Sequence, residues 1–415
     1  MRMNNFHIIL FGLALVFVLP SLQAQEIRAS VPEQDMTFDT YLNRVGKQNL
    51  EYLASRMNVS IAEAEIIAAK VLPDPSLDFE GSKDSYTLGL SYSLELGKRR
   101  ARVGLATSQA KFEKLTFEQG FQELRAGAAE LFLDAILQRE LLKAKQESYF
   151  YMLQLNRSDS LRYQSGEITE NEYRQSRLEA VSLLNEVYDQ EAAYRSSLVD
   201  LNQYMGMTAD TLNIPHGNWD KLQRDFTLPE LLESGQNGRL DLMAASKNVE
   251  VSTKAYKLAR TERRPDIGLS LSYERDWNGF LPQMRYAKVG VSVPLPFSAI
   301  NKGAVKCAQY RMAQASIMEQ ETCLHVRSEI TQAWYAFEAE KQKVAQYQSG
   351  VLEEARKVLD GTVYKYKRGE TGILDVLMAQ RSYNQVHQDY LETMKGYVSS
   401  LVALEKSCGI WDIHF

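Results

Sequence analysis

The 415-residue chain has little cysteine, little proline and no surplus of positive charge. Its three cysteines build no disulfide framework: Cys307 and Cys323 stand sixteen residues apart in what reads as one helix, too far for a bond at about 1.5 Å of rise per residue. Lys and Arg total 48 against 53 Asp and Glu, a formal charge of -5. That balance argues against nucleic acid as a partner, because nothing is in excess to neutralise a phosphate backbone. Five histidines, at 7, 216, 325, 387 and 414, form no HExxH and no Cys/His cluster, so neither a metal site nor a cofactor is called for. GxxxxGK[ST], GxGxxG and GxSxG are all missing, and no nucleophile, base and orienter group together, which argues against an enzyme.

Long apolar runs are also missing. Arg2 precedes an apolar stretch from Ile8 to Leu19, then Pro20 and a polar segment ending Gln23-Ala24-Gln25, the order of a secretory signal peptide over residues 1–24. About twelve apolar residues are too few to span roughly 30 Å of hydrocarbon, so the alternative of a membrane anchor is the weaker one. Leu22 is larger than the residue usual three before a cut, which allows the site to move by one or two. No cysteine follows the apolar run, which excludes a lipid anchor at the mature N-terminus. No later window reaches eighteen apolar residues, so an exported chain that crosses a membrane must do so as a β-barrel.

What is present is a duplication. A shift of 203 lays Tyr163-Gln-Ser-Gly166-Glu167 on Tyr366-Lys-Arg-Gly369-Glu370, carries on to Ser197-Leu-Val-Asp-Leu201 on Ser400-Leu-Val-Ala-Leu404, and closes with Gly206 over Gly409. So long a period indicates a duplicated domain-sized unit and not a solenoid. The organisation expected is a first repeat over 25–206 with a hairpin near 76–95, a linker over 207–227, a second repeat over 228–409 with a hairpin near 266–295, and a tail over 410–415. Helical runs are read at Phe38 to Leu72, Arg99 to Tyr163, Thr169 to Tyr204, Leu228 to Arg264, Gly303 to Tyr366 and Gly372 to Ser407. A run of roughly 65 residues is about 97 Å long. Leu124, Ala128, Leu131 and Ala135 make one apolar stripe; Ala126, Ala129, Leu133 and Leu137 make another about 200° away. A helix with neighbours on two flanks suits a ring of helices, or a bundle interior.

Between the helices the period becomes two. Tyr86, Leu88, Leu90, Tyr92 and Leu94 alternate with Thr87, Gly89, Ser91, Ser93 and Glu95; Ile267, Leu269, Leu271 and Tyr273 alternate with Gly268, Ser270, Ser272 and Glu274. Leu77 and Phe79, and Val289, Val291 and Val293, continue the pattern. In water such a face is a sandwich core; in a membrane it faces lipid, with tyrosines near the strand ends. Two distant hairpins make a poor sandwich, and four strands cannot close a membrane barrel, so several copies must share one.

Taken together, the helix–strand–strand–helix–helix order repeated twice, Pro75 and Pro265 opening the hairpins, the tip glycines Gly166 and Gly369, and Val293-Pro-Leu-Pro-Phe297 followed by Asn301-Lys-Gly303 resemble the TolC family of outer-membrane efflux channels. The resemblance implies a mainly α fold with a small β part: a homotrimer whose twelve-stranded barrel in outer-membrane lipid continues into a long periplasmic α-helical barrel. It implies a periplasmic adaptor and an inner-membrane RND-type pump as partners. It places Asp375 on an acidic ring at the periplasmic gate, with Met378 where a second acidic residue is expected and Thr371 in place of a gating arginine. It gives Tyr366 to the closing network with Glu172 as its hydrogen-bond partner. Simple packing and solvation are the alternatives for these residues. The tips Gly166-Glu167 and Gly369-Glu370 reverse the helices and, by resemblance, dock the adaptor. Lys98, Arg99, Arg100 and Arg102 follow Leu94-Glu-Leu-Gly in a run similar to the junction of the heavy-metal cation efflux (Czc/Cus-like) branch; anchoring to anionic lipid at the barrel rim is the competing role. The function implied is a passive exit duct for metal cations or small toxic compounds; type I export of a polypeptide, or a pore-less exported coiled-coil protein, are the alternatives.

Overall fold

The fold is taken from a computed structural model that describes residues 33–208, 212–217, 224–276, 285–295 and 301–413. The signal segment 1–24, parts of the linker and tail, and Phe297 lie outside the described residues. The elements run β1 (Glu33–Thr37), α1 (Phe38–Gln48), α2 (Leu50–Lys70), β2 (Ser76–Gly81), β3 (Ser85–Leu94), α3 (Lys98–Gln164) and α4 (Glu170–Tyr204). After β4 (Leu212–His216) the order recurs as α5 (Leu228–Gly238), α6 (Leu240–Thr261), β5 (Ile267–Asp276), β6 (Arg285–Ser292), α7 (Lys302–Gln346), α8 (Leu352–Lys367) and α9 (Ile373–Cys408).

The two hairpins join through β3 and β5 into one antiparallel sheet of order β2-β3-β5-β6. Register puts Leu77, Leu90, Leu271 and Val289 in one row, with Phe79, Leu88 and Tyr273 in the next. The opposite face carries Ser76, Ser91, Ser270 and Gly290, then Asp78, Gly89, Ser272 and Lys288. None of the described residues covers the apolar face: Leu77 is 72% exposed, Phe79 73% and Val289 81%.

Helices follow the order of the strands. α3 lies between α2 and α6 beside the sheet, and α6 packs on α7; further along, α3 lies between α4 and α9, with α8 against α9. Tyr52 stacks on Phe117 at 4.8 Å on one flank of α3, and Ser108 donates to Glu250 at 3.0 Å on the other. This is the pair of flanks that the double stripe of α3 requires. The helices left at the margins, α2, α4, α7 and α8, expose apolar side chains such as Ile61, Leu178, Ile317 and Val358.

Three of the six helical runs are broken, two of them at equivalent places. Asn49 has extended backbone between α1 and α2, caps Tyr52 N with its side chain at 2.8 Å and donates to the Tyr204 carbonyl at 2.8 Å. Arg239 divides α5 from α6 and donates to the Ser407 carbonyl at 2.9 Å, 203 residues after Tyr204. Each break seats the end of the last helix of its repeat, where Gly206 and Gly409 take φ of 74° and 71°. A Cβ on Gly409 falls 2.8 Å from the Gly238 carbonyl oxygen. Strain plus clash should make Gly409→Ala less stable by about 1–3 kcal/mol, read as a lower unfolding midpoint of the detergent-solubilised protein. An unchanged midpoint rejects the assignment.

β1 and β4 were not legible in the sequence. They form a parallel pair, Glu33 on Leu212 to Thr37 on His216, that puts β4 inside the segment read as linker. Beneath them lies the main core, with Phe38, Tyr41, Phe132, Leu133, Leu201, Ile330 and Val398 at 0–2% exposure. Each such side chain contributes about 1.5–3 kcal/mol on burial. No helix among the described residues is long and apolar enough to cross a membrane.

Candidate functional site

At the end of the helices farthest from the sheet, α3 turns into α4 and α8 into α9 through matching glycine turns. Gly166 and Gly369 adopt φ of 78° and 74°; Glu167 N donates to the Arg162 carbonyl at 2.8 Å and Glu370 N to that of Lys365 at 3.0 Å. Both turns thereby satisfy carbonyls that the helix ends would strand. The glycines and Glu167 and Glu370 are exposed, with Glu167 paired to Arg162 at 3.3 Å and Glu370 to Arg368 at 2.8 Å.

The helices that follow start differently. Thr169 and Glu172 form a capping box on α4, with Thr169 N donating to the Glu172 carboxylate at 2.9 Å and Glu172 N to the Thr169 hydroxyl at 3.3 Å. The equivalent cap on α9 is Gly372, which offers no side chain, and the equivalent of Glu172 is Asp375. Asp375 instead accepts a hydrogen bond from the Thr371 hydroxyl and stays exposed in the first turn, where the helix dipole favours a carboxylate. Leu374 and Met378 flank it, 61% and 70% exposed.

Tyr366 does not bond Glu172, contrary to the sequence expectation, because the capping box engages that carboxylate. The Tyr366 hydroxyl donates 3.0 Å to Asp159 Oδ1, and the Arg162 guanidinium lies 5.0 Å from the Tyr366 ring centre. Both partners are buried, Tyr366 at 1% and Asp159 at 0% exposure. Burial pushes the Asp159 carboxyl up from its ordinary range, against the opposing pull of Ser176, Tyr366 and Arg162. Burial and the neighbouring Asp159 push the Tyr366 phenol up as well. This contact ties α8 of the second repeat to α3 of the first, over a cluster of Met152, Leu155, Leu359, Val363, Ile373 and Val376. Sequence reasoning missed Asp159, although the signal was there: Met152, Leu155 and Asp159 share one helical stripe, so a carboxylate interrupts an apolar row.

At the other end three of the four basic residues are engaged, two with the hairpin ends and one with the end of α2. Lys98 pairs with Asp266 at 2.7 Å, Arg102 with Glu95 at 2.6 Å, and Arg99 donates to the Lys70 carbonyl at 2.7 Å. Arg100 is exposed. Among the described residues no group of His, Cys, Asp and Glu is arranged to hold a metal ion.

A four-stranded sheet greasy on one face and polar on the other, continued by helices in the same order, is a sector of a tube wall. That architecture defines a channel-forming outer-membrane protein. Residues 231–410 match the outer membrane efflux protein family. The chain is 22% identical to the cobalt-zinc-cadmium resistance protein CzcC of Cupriavidus metallidurans over 96% of its own length and 98% of that protein. Its fold superposes on the solved structure of CusC with a TM-score of 0.74 at 16% identity, over 90% of this chain and 92% of that one. The Campylobacter jejuni CmeC outer membrane channel gives a TM-score of 0.74 at 16% identity, covering 90% and 85%. Residues 231–410 thus carry the family match, and the chain as a whole has the fold of TolC-like outer-membrane efflux channels.

Proposed function

We propose that three copies, exported after loss of residues 1–24, close a twelve-stranded barrel and form a passive exit duct for metal cations, extending into the periplasm. What supports closure is that the described residues end in open edges at every level: among them β2 and β6 have no strand on their outer sides, and the marginal helices expose apolar side chains. Unpaired strand edges and exposed apolar stripes are satisfied by a copy of the same chain, and three sets of four strands give a barrel. The polar face then lines water, and the tube conducts without catalysing. In this reading Gly166-Glu167 and Gly369-Glu370 dock a periplasmic adaptor, an inner-membrane pump supplies the drive, and Arg100 faces lipid head groups. Asp375, repeated three times around the axis, attracts cations and disfavours anions. Similarity to the cobalt-zinc-cadmium resistance protein supports metal ions as cargo.

A strain lacking the protein should lose growth on zinc, cobalt or cadmium and regain it with the wild-type gene. Asp375→Asn should restore growth only in part. Sensitivity confined to bile salts, dyes and antibiotics would instead make the duct one for amphipathic compounds.

A further inference from the structure

The long struts of the two repeats differ in length by one residue, yet one of the two is broken. Lys98–Gln164 is a continuous helix of 67 residues. Its counterpart runs 45 residues as α7, passes through the π turn Tyr347–Val351 and resumes for 16 residues as α8. Gly350 in that turn has φ 103° and ψ 12°, far from helical values. The position 203 residues earlier is Glu147, inside uninterrupted α3.

Packing does not impose the break. A Cβ on Gly350 meets nothing within 4 Å, and no residue of the turn is buried. The turn is locally satisfied, with the Ser349 hydroxyl donating to the Gln346 carbonyl at 2.5 Å. α9 passes it unbroken, touching it through Tyr390 against Tyr347 at 5.7 Å. Beyond the break, α3, α8 and α9 enclose a recess of about 520 Å³ lined by Tyr151, Arg356, Asp360 and Tyr383 among others. Beside it α9 meets α3 through a polar contact, Gln380 to Ser148 at 2.9 Å. α8 is therefore a short lever: a glycine turn at one end, the Tyr366–Asp159 contact at the other, and open space beside it.

We propose that Gly350 is the pivot on which α8 swings, carrying the Gly369 tip while α3 remains a rigid strut. Mid-helix π turns recur at functional sites, and a φ near 100° is open to glycine and strained for other residues. Nineteen residues separate Gly350 from Gly369, about 28 Å of helix, so a rotation of roughly 10° displaces the tip by about 5 Å. The inference rests on the exit-duct reading, with the Tyr366–Asp159 contact holding the duct closed.

The test is single-channel recording of the full-length protein in planar bilayers, with Tyr366→Phe releasing the far end of the lever. Gly350→Ala, which favours a continuous helix, should lower the open probability of Tyr366→Phe about tenfold. Gly361→Ala, in α8 and equally free of neighbours but without a positive φ, should leave it unchanged. Equal behaviour of Gly350→Ala and Gly361→Ala overturns the pivot alone; no current from wild type or Tyr366→Phe overturns the duct reading and the pivot with it. A second measurement keeps the native glycine. Spin labels at Lys357 in α8 and Arg157 in α3, with Cys307 and Cys323 changed to Ser, should separate on Tyr366→Phe, the Lys357 distances shifting and the Arg157 distances not. Equal shifts, or none, overturn the pivot.

Discussion

Tyr366→Phe is expected to make the resting channel leak. The substitution keeps the ring under Arg162 and removes the hydroxyl that donates 3.0 Å to Asp159 Oδ1, leaving a carboxylate at 0% exposure short of that donor. Stranding a buried acceptor costs about 1–3 kcal/mol, which shifts the closed-to-open equilibrium roughly 5- to 150-fold toward open. The readout is basal conductance of the purified channel, or entry of a large antibiotic into cells carrying it. A variant that stays as tight as wild type would show that the contact is packing only. The same contact carries a pH sign. Because burial raises the Asp159 carboxyl above its ordinary value of 3.8, the closed form binds a proton more readily than an opened tip with Asp159 in water. Its closing contribution is therefore full below that ordinary value and declines as pH rises to the shifted one. Leak should accordingly fall on acidification, and Asp159→Asn should flatten that dependence.

Leu271→Arg should abolish stable assembly in the outer membrane. Leu271 stands in the central row with Leu77, Leu90 and Val289 on the face that none of the described residues covers. An arginine at mid-depth on a lipid-facing strand costs about 2–4 kcal/mol, and a trimer incurs that cost three times. Ser272→Arg, one residue on, points to the polar face and should assemble as wild type does, at near zero cost. Detergent-extractable trimer in the membrane fraction separates the two variants. Equal yields would reject the assignment of faces and favour a protein packed in water.

Much of this was already written in the chain. Alternation over Tyr86 to Leu94 gave β3 its two faces, because side chains on a strand must point to opposite sides. The shift of 203 aligned Gly166 with Gly369, since each long helix must be reversed by a residue that accepts positive φ. The double stripe of α3 required neighbours on two flanks, because an offset of two residues is half a turn. These features are local or periodic, and a backbone rule translates each directly.

What the sequence could not decide was which of several polar groups would meet across the repeats. Glu172 was the expected partner of Tyr366, but a capping box with Thr169, three positions away, captures it at little cost in loop closure, and Asp159 takes the tyrosine 207 positions away. Lys98, Arg99 and Arg102 read as a basic patch until tertiary structure set Asp266, the Lys70 carbonyl and Glu95 beside them. β1 and β4, five residues each, are too short to show a period and pair only because the fold brings residue 33 to residue 212. Gly350 looks like any helix-tolerated glycine in the sequence, and only the backbone reveals its φ. Periodicity and duplication thus determined the class of fold, whereas contacts made across two hundred residues, whose partners no local rule selects, decided how the helix tips are held.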